Sequence, residues 1–319
     1  MRVLRRSRVA ATFPVEFHPP RGATMSTPIR IADVPPDMTV FQFLRARTDY
    51  DAAVAACVPK VGRRGRLSFD LPGVDLDAIR SQVDAALATR GFRGWRHADG
   101  ESRTYGGLSL TWNPDHQDAP EPEASTLGTP RNAREAFFWN ATGTHERLRD
   151  SYFDSYGFRR RTELAATGAL GAFIDGFTRS LVRSRVGVIP GAAVDAADPA
   201  YLAREGWHRD EPVFETLRLN VPLVTDANFV FQMAGEPAYH LAPGRAYTWD
   251  TNRPHRVFCR GTTATTRIHL VLGFAPWFDY LPDSQAWVPN EHFGRTHPFD
   301  LLASGLMHPA IRLASPVAA

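Results

Sequence analysis

The chain has 319 residues, 43% of them hydrophobic and 22% charged, with a formal net charge of +3. Such a length buries a core without disulfides, and the basic excess is too small and scattered for a nucleic-acid surface, much of it lying in the first two dozen residues. Cys57 and Cys259 stand far apart in no redox or metal pattern, which excludes a disulfide framework and fits a reducing cytoplasm, and no apolar run approaches the ~20 residues a membrane span needs.

Residues 1–24 carry Arg2, Arg5, Arg6, Arg8 and Arg21 against one acid, Glu16, without the apolar stretch of a secretory signal. They read as an upstream extension or disordered tail before Met25, with a transit peptide or an Arg-rich contact arm as alternatives. Residues 25–160 are expected to form a mixed α/β region. Asp75 caps a helix whose Leu76, Ile79, Val83 and Leu87 share one face, and Gly91 ends it. Phe92 to Trp112 reads as one or two strands turning at Gly106-Gly107. Asp115 to Arg131, with Pro120, Pro122 and Pro130, reads as a surface loop. Between Arg131 and Arg161, the aromatics Phe137, Phe138, Trp139, Tyr152, Phe153, Tyr156 and Phe158 are interleaved with charges and end in Arg159-Arg160-Arg161. They suit either a wall for a polar substrate or core aromatics beside a solvated basic face.

Residues 161–281 are expected to be the core. Leu170, Phe173, Ile174, Phe177 and Leu181 fall on one helical face, and a switch to alternation at Val186 and Val188 marks a strand. On a strand, Arg183 and Arg185 share a face and can grip a carboxylate; at a helix end they are solvated arginines. Strand-like runs then follow at close spacing: Leu217 to Val224, Asn228 to Met233, Ala238 to Leu241, Arg245 to Trp249, His255 to Cys259 and Thr265 to Gly273. Turn residues such as Gly235-Glu236-Pro237 and Pro243-Gly244 separate them. Many short strands of this kind predict a mainly β fold with flanking helices, a sandwich or jelly roll rather than a βαβ sheet. Residues 282–319, with His292, His297 and His308, read as a packing or lid extension.

The chemistry concentrates between Trp207 and Tyr280. His208 and Asp210 are two apart, so on a strand both reach one point, and His255 opens a later strand. Two imidazoles and one carboxylate are the ligand set of non-haem Fe(II) oxygenases, which leaves the opposite face of the metal open. A bidentate cosubstrate needs a cation, and Arg267 on the next strand is available for it. Arg218 and Asn220 share parity and interrupt an otherwise apolar strand, as either a solvated outer face or a polar interior. Trp207, beside His208, joins Arg183 and Arg185 as a candidate substrate contact. His269 shares parity with Arg267 and suits a core histidine equally well.

Several stretches within Gly206 to Asp279 resemble the aspartyl/asparaginyl β-hydroxylase-like group of Fe(II)/2-oxoglutarate dioxygenases, which includes bacterial proline hydroxylases. They are Trp-His-Arg-Asp, Leu-Arg-Leu-Asn-Val-Pro-Leu, the run from Leu241 to Val257, and Arg-Ile-His-Leu-Val-Leu-Gly-Phe. The resemblance implies a double-stranded β-helix (cupin-like jelly roll), iron on His208, Asp210 and His255, Arg267 on the distal carboxylate of 2-oxoglutarate, and Arg218 near its other end. Asn220 departs from the histidine of several relatives, while Asp210 completes the triad and argues against a halogenase. The implied activity uses Fe(II), 2-oxoglutarate and O2 to hydroxylate an unactivated C–H bond of a small molecule, an amino acid or natural-product intermediate. An Asp/Asn side chain of a protein as substrate, a non-catalytic cupin-like binding protein, and a metal-dependent isomerase or hydrolase are the alternatives.

Overall fold

The computed structural model describes residues 27–36, 38–57, 66–97, 100–115, 122, 125–127, 138–139, 145–146, 154–191 and 207–314. Residues 1–24, and Phe137, Tyr152 and Phe153 of the aromatic segment, lie outside them. The helices are α1 (Val40–Ala46), α2 (Tyr50–Cys57), α3 (Leu76–Arg90), α4 (Glu163–Ala166), α5 (Gly168–Asp175) and α6 (Pro298–Ala303). The strands around the site are β1 (Arg66–Asp70), β2 (Arg93–His97), β3 (Gly100–Ser109), β4 (Leu181–Ile189), β5 (Leu217–Val224), β6 (Phe229–Met233), β7 (Tyr239–His240), β8 (Arg245–Trp249), β9 (His255–Cys259), β10 (Arg267–Phe274) and β11 (Arg312–Leu313).

Local chemistry sets the helix ends. Thr39 and Gln42 form a reciprocal capping box on α1. Asp75 accepts from the Ala78 N–H at the start of α3, and Gly91, at φ 77°, takes the conformation that ends it. The helical face drawn from Leu170 to Leu181 is too long. α5 stops at Asp175, Phe177 lies beyond it, and Leu181 opens β4. The stop falls at Gly176, where a side chain has no room: a Cβ would lie 2.2 Å from Nε2 of His308.

The larger sheet is eight-stranded and antiparallel, in the order β11-β1-β8-β5-β10-β4-β3-β2. It joins strands from before residue 160 and after residue 281 to those of the expected core. The smaller sheet runs β7-β6-β9 and is extended by an antiparallel bridge between His208 and His255. The chain alternates between them: β5 in the large sheet, β6 and β7 in the small, β8 in the large, β9 in the small and β10 in the large. Residues 29–30, 278–281 and 286–289 make a separate three-stranded sheet.

Register assigns the two faces of the large sheet. Val221, Leu270, Val186 and Leu108 lie opposite one another in a row, all with no exposure, and pack with Ile79 and Val83 of α3 and Leu170 and Ile174 of α5. The other face carries the row Tyr247, Asn220, Val271, Arg185, Ser109 and the row Pro222, His269, Gly187, Gly107. Arg218 and Asn220 are buried, so the polar alternation of β5 is an interior face rather than a solvated one. On the Tyr247 side, Tyr247 and Trp249 of the large sheet pack with Phe231 and Met233 of the small one.

Gly106-Gly107 is not a turn: both residues lie within β3. A Cβ at Gly106 would sit 1.9 Å from the Arg93 carbonyl oxygen, and one at Gly107 1.8 Å from that of Val186. The glycines admit neighbouring backbones on both sides, a long-range demand with the local look of a turn. The expected surface loop from Asp115 to Arg131 is also anchored at Thr126 and Leu127, which have no exposure; Thr126 bonds to Ser109. Tyr156 and Phe158 belong to the core, and Arg159 is a buried arginine paired with Asp115 at 2.7 Å. His297 caps α6 and His308 bonds to the Phe173 carbonyl, both packing roles. Neither cysteine is in a disulfide, and no helix among the described residues is long and apolar enough to cross a membrane.

Candidate metal centre

His208, Asp210 and His255 converge, with one ligand atom from each lying within 4.8 Å of the others. Nε2 of His255 is 3.5 Å and Nε2 of His208 3.9 Å from Oδ2 of Asp210. The backbone enforces this placement: His208 and His255 exchange N–H···O bonds of 2.9 Å, and the Asp210 N–H donates to the Thr251 carbonyl at 2.9 Å. The segment holding His208 and Asp210 thus runs antiparallel to residues 251–255, bridged to the first residue of β9 and bonded again at Thr251, and this brings both side chains to His255.

The surroundings prepare His255 and Asp210 as ligands. Nδ1 of His255 lies 2.8 Å from the Arg253 carbonyl and donates to it, which leaves the Nε2 lone pair for a metal. Phe231 and Trp249 wall the His255 ring, each with its ring centroid 5.7 Å away. Burial alone would raise the Asp210 carboxyl, but Arg218, His255 and His208 outweigh it and hold it well below the usual carboxylate range. Arg218 donates to both Asp210 and Glu211. Burial works against its charge, and those two carboxylates more than restore it.

Glu211 had no sequence signal beyond its place after Asp210, yet it organises the interior. Besides Arg218, it accepts from Ser155 at 3.0 Å and faces Arg183 at 3.9 Å. Arg183 and Arg185 lie on β4 and are buried, so they are not solvated arginines at a helix end. Trp95 and Tyr105 beside them were not singled out in the sequence, because only the sheet order brings β2 and β3 next to β4. The guanidinium carbons of Arg183 and Arg185 lie 5.5 and 5.3 Å from the Trp95 ring centre. Trp207 stacks on Arg256, whose guanidinium carbon lies 4.6 Å from its ring centre.

Arg267 is 7% exposed and lies two residues from His269 on the polar face. Its Nη2 donates to Nδ1 of His269 at 2.8 Å. Burial, partly countered by Tyr105, lowers the Arg267 guanidinium to about 10, so it is charged at neutral pH. His269 is held neutral by burial and then by the adjacent Arg267. Among the described residues Arg267 meets no carboxylate.

No family model matches the chain, and no curated protein matches it. Among solved structures, an oxidoreductase of the 2OG-Fe(II) oxygenase family from Burkholderia pseudomallei aligns at 16% identity and a TM-score of 0.22, over 35% of this chain and 52% of that one. The chain thus spans about half the length of that structure. The non-heme alpha-ketoglutarate-dependent carbocyclase SnoK from nogalamycin biosynthesis aligns at 11% identity and a TM-score of 0.33, over 79% of this chain and 88% of that one. At scores of this size the likenesses fix neither fold nor chemistry.

Proposed function

We propose that the chain is an Fe(II)- and 2-oxoglutarate-dependent oxygenase with a double-stranded β-helix core, which hydroxylates an unactivated C–H bond of a small molecule such as an amino acid or natural-product intermediate. The observation that carries this reading is the convergence of His208, Asp210 and His255 within 4.8 Å, with the Asp210 carboxyl held well below its usual range and the His255 Nδ1–H donated to a backbone carbonyl. The alternation of β5 to β10 between a large and a small sheet, with the triad on the small one, supports the jelly-roll connectivity.

The donor set fits iron: two neutral imidazole nitrogens and one carboxylate oxygen suit a divalent first-row metal and leave coordination places open. When bound, Fe(II) with 2-oxoglutarate and O2 supplies the oxidising power, and the protein supplies position and exclusion of water. His208 and His255 donate nitrogen lone pairs. Asp210 donates the anionic oxygen that Arg218 keeps deprotonated. Arg267, a buried cation with no carboxylate of its own among the described residues, receives the distal carboxylate of the cosubstrate, and neutral His269 accepts one of its N–H groups and fixes its fork. Asn220, opposite Val271, lies on the same face one row beyond His269.

The test is incubation of the protein with Fe(II), ascorbate and 2-oxoglutarate, with succinate measured in air and under argon. Oxygen-dependent succinate is expected. His208→Ala should abolish it together with metal binding; retention of both would remove the ligand assignment, and turnover under argon would point to a different metal chemistry.

A further inference from the structure

The polar face of the large sheet contains a second buried guanidinium that meets no carboxylate among the described residues. Arg185 is 7% exposed; its Nε donates to the Tyr105 hydroxyl at 3.2 Å, and its Nη1 makes no hydrogen bond. We propose that Arg185 anchors a carboxylate of the substrate, so that the molecule oxidised at this site is a small carboxylic acid. The proposal rests on the oxygenase reading above for the word substrate, but the anion site is defined by Arg185 and its surroundings alone.

Position comes first. Arg185 lies opposite Val271, which lies opposite Asn220, so Arg185 belongs to the face that carries Arg218 and Arg267. It connects to the triad through adjacent groups: Arg183 on the same strand faces Glu211, Glu211 pairs with Arg218, and Arg218 pairs with Asp210. Trp95 stands against both β4 arginines and covers them with an apolar ring.

Charge comes second. Among the described residues, Arg183, Arg185, Arg218 and Arg267 are all buried, and the carboxylates of Asp210 and Glu211 face Arg218 and Arg183 rather than Arg185. Burial and then Glu211 push the carboxyl of the nearby Glu215 well above the usual range. A buried charge without a partner is costly, and an incoming anion removes that cost.

The remaining choice is which anion. Arg267 lies opposite Ile189 and Arg185 opposite Val271, four residues and roughly 14 Å apart along the strand, with the His269–Gly187 row between them. The two guanidinium groups turn to different neighbours, Arg267 to Nδ1 of His269 and Arg185 to the Tyr105 hydroxyl, so the proposal gives each its own carboxylate. Arg183, the nearest other cation, is already engaged by Glu211 and by the Thr126 carbonyl at 3.3 Å. A single open guanidinium edge matches the two coplanar oxygens of a carboxylate better than the three oxygens of a phosphate, which require further donors.

The test uses the full chain loaded with Mn(II) and 2-oxoglutarate under argon, titrated by calorimetry. The probes are hexanoate, phenylacetate and N-acetyl-L-phenylalanine, each paired with its primary amide, and inorganic phosphate. At least one acid should bind about tenfold more tightly than its amide, the loss expected for one charge-assisted pair. Arg185→Gln should erase that preference and Arg185→Lys should keep part of it, each with native circular dichroism and a 2-oxoglutarate affinity within about twofold of the parent. Acids and amides binding alike, no probe binding, phosphate outcompeting every acid, or Arg185→Gln retaining the preference would each overturn the proposal. So would a tenfold loss of 2-oxoglutarate affinity in that variant, which would make Arg185 a cosubstrate residue. The titrations are repeated without metal and cosubstrate. If the parent binds neither of those, the oxygenase reading fails, while acid-over-amide selectivity still reports on Arg185.

Discussion

Arg218 donates from Nη1 to Oδ2 of Asp210, the carboxylate placed between the two candidate metal-ligating histidines. The same guanidinium donates from Nη2 to Glu211, so its planar fork spans both carboxylates of the His-Arg-Asp-Glu segment. Lysine carries the charge but lacks the fork. Arg218→Lys is therefore expected to weaken Mn(II) binding by about 10-fold to 100-fold, the usual effect of losing a group that orients a ligand. The loss should grow as pH falls, because Asp210 then competes with protons from a less depressed pKa. Metal titrations at two pH values check this, and an unchanged affinity at both would show that Arg218 does not hold Asp210 in its ligating state.

Arg267 is expected to separate cosubstrate binding from metal binding. Arg267→Gln removes the buried positive charge and keeps a shorter polar group. 2-Oxoglutarate affinity should fall by about 10-fold to 100-fold, the range for a hydrogen bond to a charged group, with Mn(II) affinity unchanged. Two titrations on one preparation suffice. A parallel loss of both would mean that the substitution disturbs the barrel rather than a contact.

What was legible in the sequence follows from the range of the interactions involved. Asp75 and Gly91 bracket α3 because capping is local, and β5, β8 and β9 match their expected bounds because alternation and turn residues are local too. Parity put Arg218 and Asn220 on one face of β5 and left open whether that face was inside, which their burial decides, and His208, Asp210 and His255 converge. Glu211 left no trace because a single buried carboxylate has no period; its meaning comes from Arg218, Arg183 and Ser155 on three other segments. Trp95 and Tyr105 acquire theirs only when β2 and β3 are added beside β4. Gly106-Gly107 misled for the same reason, since the backbones that demand glycine belong to strands on either side.

That close approach can be measured. Gly107, at φ 141°, and Gly73, at φ 78°, both have conformations that a side chain resists, but a Cβ at Gly73 meets nothing within 4 Å whereas one at Gly107 meets the Val186 carbonyl at 1.8 Å. Gly73→Ala should cost about 1–2 kcal/mol, the strain alone. Gly107→Ala should cost at least ~3 kcal/mol more, because β3 and β4 must separate. Urea unfolding of the two variants gives the difference directly. Equal losses would mean that the sheet accommodates the methyl group.

Asp154 should give the fold a pH dependence of its own, away from the metal centre. Its Oδ2 accepts from the Val40 N–H at 2.8 Å at the start of α1, while Oδ1 has no partner. Burial raises the carboxyl to about 6, against the pull of the backbone N–H groups of Val40, Phe41 and Gly157 and of Arg159. The sign follows from proton counting. Between the ordinary value of 3.8 and 6 the folded chain holds a proton that the unfolded chain has released, so stability from this group falls as pH rises through that window. Above it the penalty is complete, on the order of 3 kcal/mol for a rise of about two pH units. Asparagine keeps an oxygen for the Val40 N–H and never ionises. Asp154→Asn is therefore expected to raise the unfolding free energy at pH 7.5 and to have little effect at pH 4.5, with a shallower slope than the parent's between those values. Chemical denaturation across the range checks it. A variant less stable than the parent at pH 7.5 would show that the ionised carboxylate is worth more to α1 than its burial costs.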